Sequence, residues 1–169
     1  MSQFLSPPPN NAPIAIYNDG GGLVTAYQAA ALRYKMEGRK VEIKGSCRSA
    51  CLLALSVPKV CVTPGAQVKA HHAYEQISGT VRTDITNQML ADLPTPIRNR
   101  LEGKITPNYN QQATLNYNDL RSLGVADCSN NKSGAPIIAK DKPIASKGLT
   151  FKILSPIDII NRVFPMFKK

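Results

Sequence analysis

Apolar positions along the chain fall into short alternating or helical runs, punctuated by Gly, Pro and Asn. Ile14-Ala15-Ile16-Tyr17 reads as a strand ending at Asn18-Asp19-Gly20-Gly21-Gly22. From Leu23 to Met36, Val24, Tyr27, Ala30, Ala31 and Tyr34 recur at helical spacing, and Gly38 suits the C′ position past the helix end. The alternation Val41-Glu42-Ile43-Lys44 predicts a second strand. Gly45-Ser46-Cys47-Arg48-Ser49 then reads as a small-residue turn, and the Leu- and Ala-rich run from Ala50 to Leu55 predicts a helix. Strand, glycine loop, helix, strand, turn and helix together describe an α/β protein built on a βαβ unit with a right-handed crossover.

Further on, Lys59 to Pro64 and Gln67 to His71 predict two short strands joined at Gly65. Residues 84–104 carry a helical pattern (Ile85, Met89, Leu90, Leu93, Ile97, Leu101) broken by Pro94 and Pro96. Leu115 to Val125 reads as another short helix running into Asp127, with Gly124 near its end. The Pro- and Asn-rich residues 1–12 read as an extended arm, and the Lys/Pro/Gly/Ser-rich residues 129–150 as a linker. Ser155, Pro156 and Asp158 supply an N-cap, an N1 proline and an N3 acid for a terminal helix over 155–164. That helix is expected to dock on its own domain or on a neighbouring subunit.

The 169 residues suit one domain, 13–128, flanked by the arm and by a basic segment, 129–169. A hydrophobic content of 43% and no apolar run near the roughly 18 residues of a membrane span describe a globular chain. Residues 1–9 show neither the basic nor the apolar region of a signal peptide. The expected location is therefore the cytoplasm or a virion, and the periplasm only if a leader precedes this sequence. Net charge is +10, and residues 128–169, with seven Lys and one Arg against two Asp, hold +6 of it. Without Trp, without a basic stripe interleaved with aromatics and without a zinc or helix-turn-helix pattern, nucleic acid is not the expected partner.

Four cysteines, Cys47, Cys51, Cys61 and Cys128, lack metal-ligand spacing. Cys47 and Cys51 on one helical face could approach disulfide distance and would stiffen the turn between them; two buried free thiols fit equally well. Ser49, on a turn that opens a helix, would present its hydroxyl beside backbone N–H groups and a positive dipole end. The same residue also suits a plain N-cap on a core helix. Gly20-Gly21-Gly22 can serve as a phosphate cradle, a flexible turn, or an oxyanion hole in which backbone N–H groups approach a reacting carbonyl. The dinucleotide and P-loop fingerprints are missing, so nucleotide binding has weak support.

Taken together, these stretches resemble the proteolytic subunit of Clp protease, within the wider ClpP/crotonase-like superfamily. The family's Asn-Ser-Pro-Gly-Gly-x-Val-Thr-Ala corresponds to Asn18-Asp19-Gly20-Gly21-Gly22-Leu23-Val24-Thr25-Ala26, and its Gly-x-Ala-x-Ser to Gly45-Ser46-Cys47-Arg48-Ser49. Pro64 and Gln67-Val68-Lys69-Ala70-His71 fall where the family has a proline and then an apolar run ending in the catalytic His. Leu120 to Asp127 echoes its later Ala-x-x-Tyr-Gly-Leu-Ile-Asp. The match spans about residues 13–128, in order.

The resemblance implies a ClpP/crotonase-like spiral fold of repeated β-β-α units, truncated at its N-terminus. It implies Ser49 as nucleophile and His71 as general base, with N–H groups of Gly21 or Gly22 and of Ala50 holding the oxyanion and no cofactor. His72, on the opposite face of an extended strand, is the competing base. The family's triad Asp falls near Gln112-Ala113, so Gln112, or an acid from elsewhere such as Asp119, Asp84 or Asp92, is the candidate third member. The Cys-x-Ser-Ala-Cys wording is similar to a branch of predicted periplasmic ClpP-like proteins and favours a Cys47–Cys51 bridge. A missing N-terminal βα unit leaves a sheet edge to be covered by the arm, the tail or another subunit.

Two functions follow. One is a serine hydrolase, a homo-oligomeric peptidase acting on peptides or proteins. The other is a catalytically silent ClpP-like assembly component, for example of a phage particle. Crotonase-like acyl-CoA chemistry is a distant third.

Overall fold

Six strands form one curled, mixed sheet with β2, Val41–Arg48, at its centre. The computed structural model describes residues 2–105 and 111–130, all within one compact unit. The expected terminal helix, and all but the first two residues of the expected linker, lie outside these residues. Strand β1, Ile14–Asp19, runs parallel along one side of β2, from Ile14 opposite Val41 to Asp19 opposite Cys47. On the other side β2 is shared. Its first half pairs with β3, Val60–Val62, and its second half with β4, Gln67–Ala70, both parallel. Strand β5, Ala113–Asn116, joins β4 antiparallel, and β6, Ala126–Asp127, joins β3 in parallel.

Apolar alternation builds this centre: Val41, Ile43 and Cys47 of β2, with Ile14 and Ile16 of β1, are fully buried. The mixed α/β class expected from the sequence is present. Strand β2 runs four residues further than expected, through the stretch expected to be a turn. Gly45 makes that possible, because β1 slips register between Ile16 and Asn18 and presses its backbone onto β2 there. A Cβ on Gly45 would stand 2.1 Å from the Tyr17 carbonyl oxygen.

Helix α1, Val24–Met36, lays Tyr27, Ala31 and Tyr34 on the core and ends at Glu37, with Gly38 at a positive φ of 61° as the C′ residue. The Leu-rich run after β2 is a 3-10 helix, Ser49–Ser56, rather than an α-helix, and Ala50 to Leu55 are all buried. The broken pattern of residues 84–104 becomes two helices, α2, Thr83–Ala91, and α3, Thr95–Leu101, separated at Pro94. The short helix expected to begin at Leu115 begins two residues later, as α4, Tyr117–Ser122, because Leu115 and Asn116 pair with β4. Asn116 instead caps α4, in a reciprocal capping box with Asp119.

Residues 2–12 pass through turns instead of extending. Phe4 is fully buried, stacks on Tyr27 at 5.6 Å between ring centroids, and meets Tyr34 edge-on. Arg39 donates to the carbonyls of Pro8 and Ala12, so the whole arm is tied down. Among the described residues no helix is long and apolar enough to cross a membrane.

Candidate active site

Ser49 sits where β2 gives way to the 3-10 helix, and its φ of 55° is left-handed. For a residue with a Cβ this backbone state costs about 1–2 kcal/mol, so something holds it there. Two features do. A disulfide joins Cys47, on the strand, to Cys51, inside the helix, and spans Ser49. On its other flank lies Gly21, whose φ is also positive at 82°. A Cβ on Gly21 would lie 2.7 Å from Ser49 Cβ, 2.5 Å from the Arg48 carbonyl oxygen and 2.9 Å from the Ala50 nitrogen. Only glycine allows the loop this close to the bend.

The glycine loop therefore meets the start of the 3-10 helix, where the Ala50 N–H has no acceptor one turn back. The N–H of Gly21 is engaged, donating to Asp19 Oδ1 at 2.9 Å. Of the two loop donors expected from the sequence, Gly22 is the one left available, since none of its bonds is found among the described residues. Ala50 N–H and Gly22 N–H are thus the candidate oxyanion donors that carry no bond among the described residues.

His71 follows directly after β4, and the residue is 6% exposed. Its Nδ1 lies 2.6 Å from the His72 carbonyl oxygen. A carbonyl can only accept, so Nδ1 carries a proton, and in the neutral ring Nε2 then keeps the lone pair. That is the tautomer a general base needs. The ring also packs against Tyr74, with centroids 5.7 Å apart. Arg48 pairs with Lys69, so β2 and β4 end side by side, and Ser49 and His71 follow directly from their ends. Among the described residues no hydrogen bond joins Ser49 Oγ to His71. Unliganded catalytic sites often hold base and nucleophile slightly apart and tighten with substrate.

The competing His72 turns to α2, with Nδ1 3.3 Å from Thr86 Oγ1, which also receives the Ala73 N–H. Gln112 falls opposite His71 when the pairing of Ala70 with Ala113 is continued, yet the Nδ1 partner is the His72 carbonyl. Asp119 is spent on the α4 capping box and lies 3.8 Å from Arg100. Asp84 pairs with Arg82, and Asp92 accepts from Gln28. A main-chain carbonyl, then, occupies the place for which Gln112 and Asp119 were considered.

Three features escaped the sequence reading. Asp19 is 1% exposed and gathers four donors beside the glycine loop. An acid directly before a glycine run is an Asx-turn signal that could have marked it. A second disulfide, Cys61–Cys128, ties β3 to the residue after β6, and an even cysteine count was the available hint. Third, Arg48 and Lys69 are register partners on the strands that lead to Ser49 and His71, and neither has an ion-pair partner among the described residues.

Glu42, Cys61 and Cys128 also bring ligand-type atoms within 4.8 Å of one another. Their two sulfurs are bonded to each other, so neither is a thiolate able to take a metal. Burial pushes the Glu42 carboxyl up, but hydrogen bonds from Lys40 and Lys44 outweigh it and leave the group below its ordinary value. It acts as an ion-pair centre. No protein-family model and no curated protein matches the chain.

Proposed function

We propose that the protein is a ClpP-like serine hydrolase, acting as a peptidase through a Ser49–His71 dyad. In this reading His71 Nε2 takes the Ser49 proton as Oγ attacks the scissile carbonyl. The N–H groups of Ala50 and Gly22 receive the oxyanion, and the imidazolium returns its proton to the leaving amine. Water, activated by the same nitrogen, then hydrolyses the acyl-enzyme. The observation that carries the reading is the left-handed Ser49, wedged between Gly21 and the first free N–H of the 3-10 helix, beside a histidine whose tautomer is fixed for base work.

A carbonyl orients the imidazole but adds no charge to stabilise its protonated form. In serine proteases, exchanging the acid for an amide costs about 10⁴ in kcat, so slow turnover is expected. Arg48 and Lys69 favour a substrate bearing negative charge next to the scissile bond. Two disulfides support an oxidising compartment rather than the cytoplasm. Self-association is expected, as in the resembled family, while the arm lies along β1, where Gln3 Oε1 accepts from the Tyr17 N–H.

The second reading, a silent assembly component, is favoured by the same missing acid. A fluorophosphonate probe separates the two. The hydrolase reading requires labelling of the wild-type protein that disappears in Ser49→Ala and in His71→Ala. Folded wild-type protein that takes no label, alone or self-associated, assigns the chain to the silent class.

A further inference from the structure

Asp19 is a buried carboxylate that the dyad does not use. It ends β1, level with Cys47, and its charge has no cation beside it among the described residues. Four donors compensate. Oδ1 accepts from the Gly21 N–H at 2.9 Å and the Tyr27 hydroxyl at 2.6 Å, and Oδ2 from Ser2 Oγ at 2.5 Å and the Phe4 N–H at 3.4 Å. Burial, followed by the bond to Asp19, pushes the Tyr27 hydroxyl well above its ordinary range, which keeps it a donor. One carboxylate therefore joins three pieces of chain: the arm, α1 and the glycine loop.

Resting on the serine-hydrolase reading, we propose that Asp19 is a positioning residue that acts through the Gly21 N–H. It fixes the glycine loop against Ser49, and Ser2 and Phe4 of the arm fix Asp19 in turn. The contact it controls is tight. Gly21 already lies against the Arg48 carbonyl, Ser49 Cβ and the Ala50 nitrogen, so a small outward movement of the loop would withdraw the Gly22 N–H from the oxyanion position. Misplacement by about 1 Å at a catalytic centre can cost 10²-fold in rate. The arm, by the same chain of bonds, becomes part of the catalytic apparatus without touching substrate. Phe4, stacked on Tyr27 and accepting the Tyr34 hydroxyl on its carbonyl, anchors it.

The test is the two-step kinetics of fluorophosphonate labelling, kinact and KI, on folded wild-type, Asp19→Ala, Asp19→Asn and Ser2→Ala proteins. The Gly21 amide proton shift is followed by NMR in each. Asp19→Ala should lower kinact by about 10²-fold with KI unchanged. Asp19→Asn, whose carbonyl oxygen still accepts from Gly21, should fall between it and wild type, and Ser2→Ala should show the smallest loss. The Gly21 amide should move upfield in the same order. A merely structural Asp19 would lower Tm and leave kinact at the wild-type value, which overturns the inference. If Asp19→Ala does not fold, wild-type kinact in folded Asp19→Asn and Ser2→Ala overturns it equally. Absence of wild-type labelling would remove the hydrolase reading and this inference together; labelling indifferent to Asp19 removes this one alone.

Discussion

The two disulfides differ in what they hold. Cys61–Cys128 closes a sequence separation of 67 residues and staples β3 to the chain beyond β6, away from Ser49. Cys47–Cys51 closes a separation of 4 and spans Ser49 itself. Loop-closure entropy assigns the first about 4 kcal/mol and the second about 2 kcal/mol. The larger contributor is remote from the proposed nucleophile, and the smaller one surrounds it. Cross-linking in this protein thus has two separable purposes: keeping the sheet closed, and keeping one serine in a conformation it would otherwise leave.

The largest effect expected is therefore on stability alone. Replacing Cys61 and Cys128 together with Ser should cost about 4 kcal/mol in urea unfolding while the folded fraction still labels at wild-type rate. Loss of labelling in folded protein would break the separation. Next comes Gly21→Ala, which places a Cβ 2.5 Å from the Arg48 carbonyl oxygen at a φ of 82°. Pushing the loop off Ser49 should slow labelling by about 10²-fold, read as kinact.

Replacing Cys47 and Cys51 with Ser should cost about 2 kcal/mol, and unlike the first pair it should also slow labelling of the folded protein. Equal rates would mean that Gly21 alone holds Ser49. The smallest effect lies beside the long-loop bridge. The Tyr117 hydroxyl, then the N–H and hydroxyl of Ser129, hold the Asp127 carboxyl down to about 2 from its ordinary 3.8. The folded value is depressed, so this contribution is fully present above 3.8 and is lost as pH falls towards about 2. Tyr117→Phe removes its largest cause and should flatten the fall of Tm over that interval, without changing labelling at neutral pH.

How much of this was legible in the sequence depends on whether the controlling interaction was local. The apolar alternation of Val41 to Lys44, the helical spacing from Val24 to Tyr34 and the glycine at 38 are local signals, and their elements are present. Length was harder. Strand β2 continues through Gly45 to Arg48 because β1 and β4 pair with it there, and no property of the segment itself announces those partners. Leu115 and Asn116 went to β5 for the same reason, pairing across to Val68 and Gln67. At the site, Ser49, His71 and the glycine loop could be singled out by residue type and order. The partner of His71 could not, because it is a backbone carbonyl, which every residue carries. Asp19 was legible as a turn residue, but its burial depends on Phe4 and Tyr27 closing over it. The arm's docking was invisible to a composition rich in Pro and Asn.

Trapping the acyl-enzyme tests the central claim most directly. The protein is mixed with an activated ester, quenched in acid and digested, and the acyl group is located by mass spectrometry. The account predicts a single acyl group on Ser49, formed in wild-type protein and missing in His71→Ala. An acyl group on another residue, or none on folded wild-type protein, would contradict it.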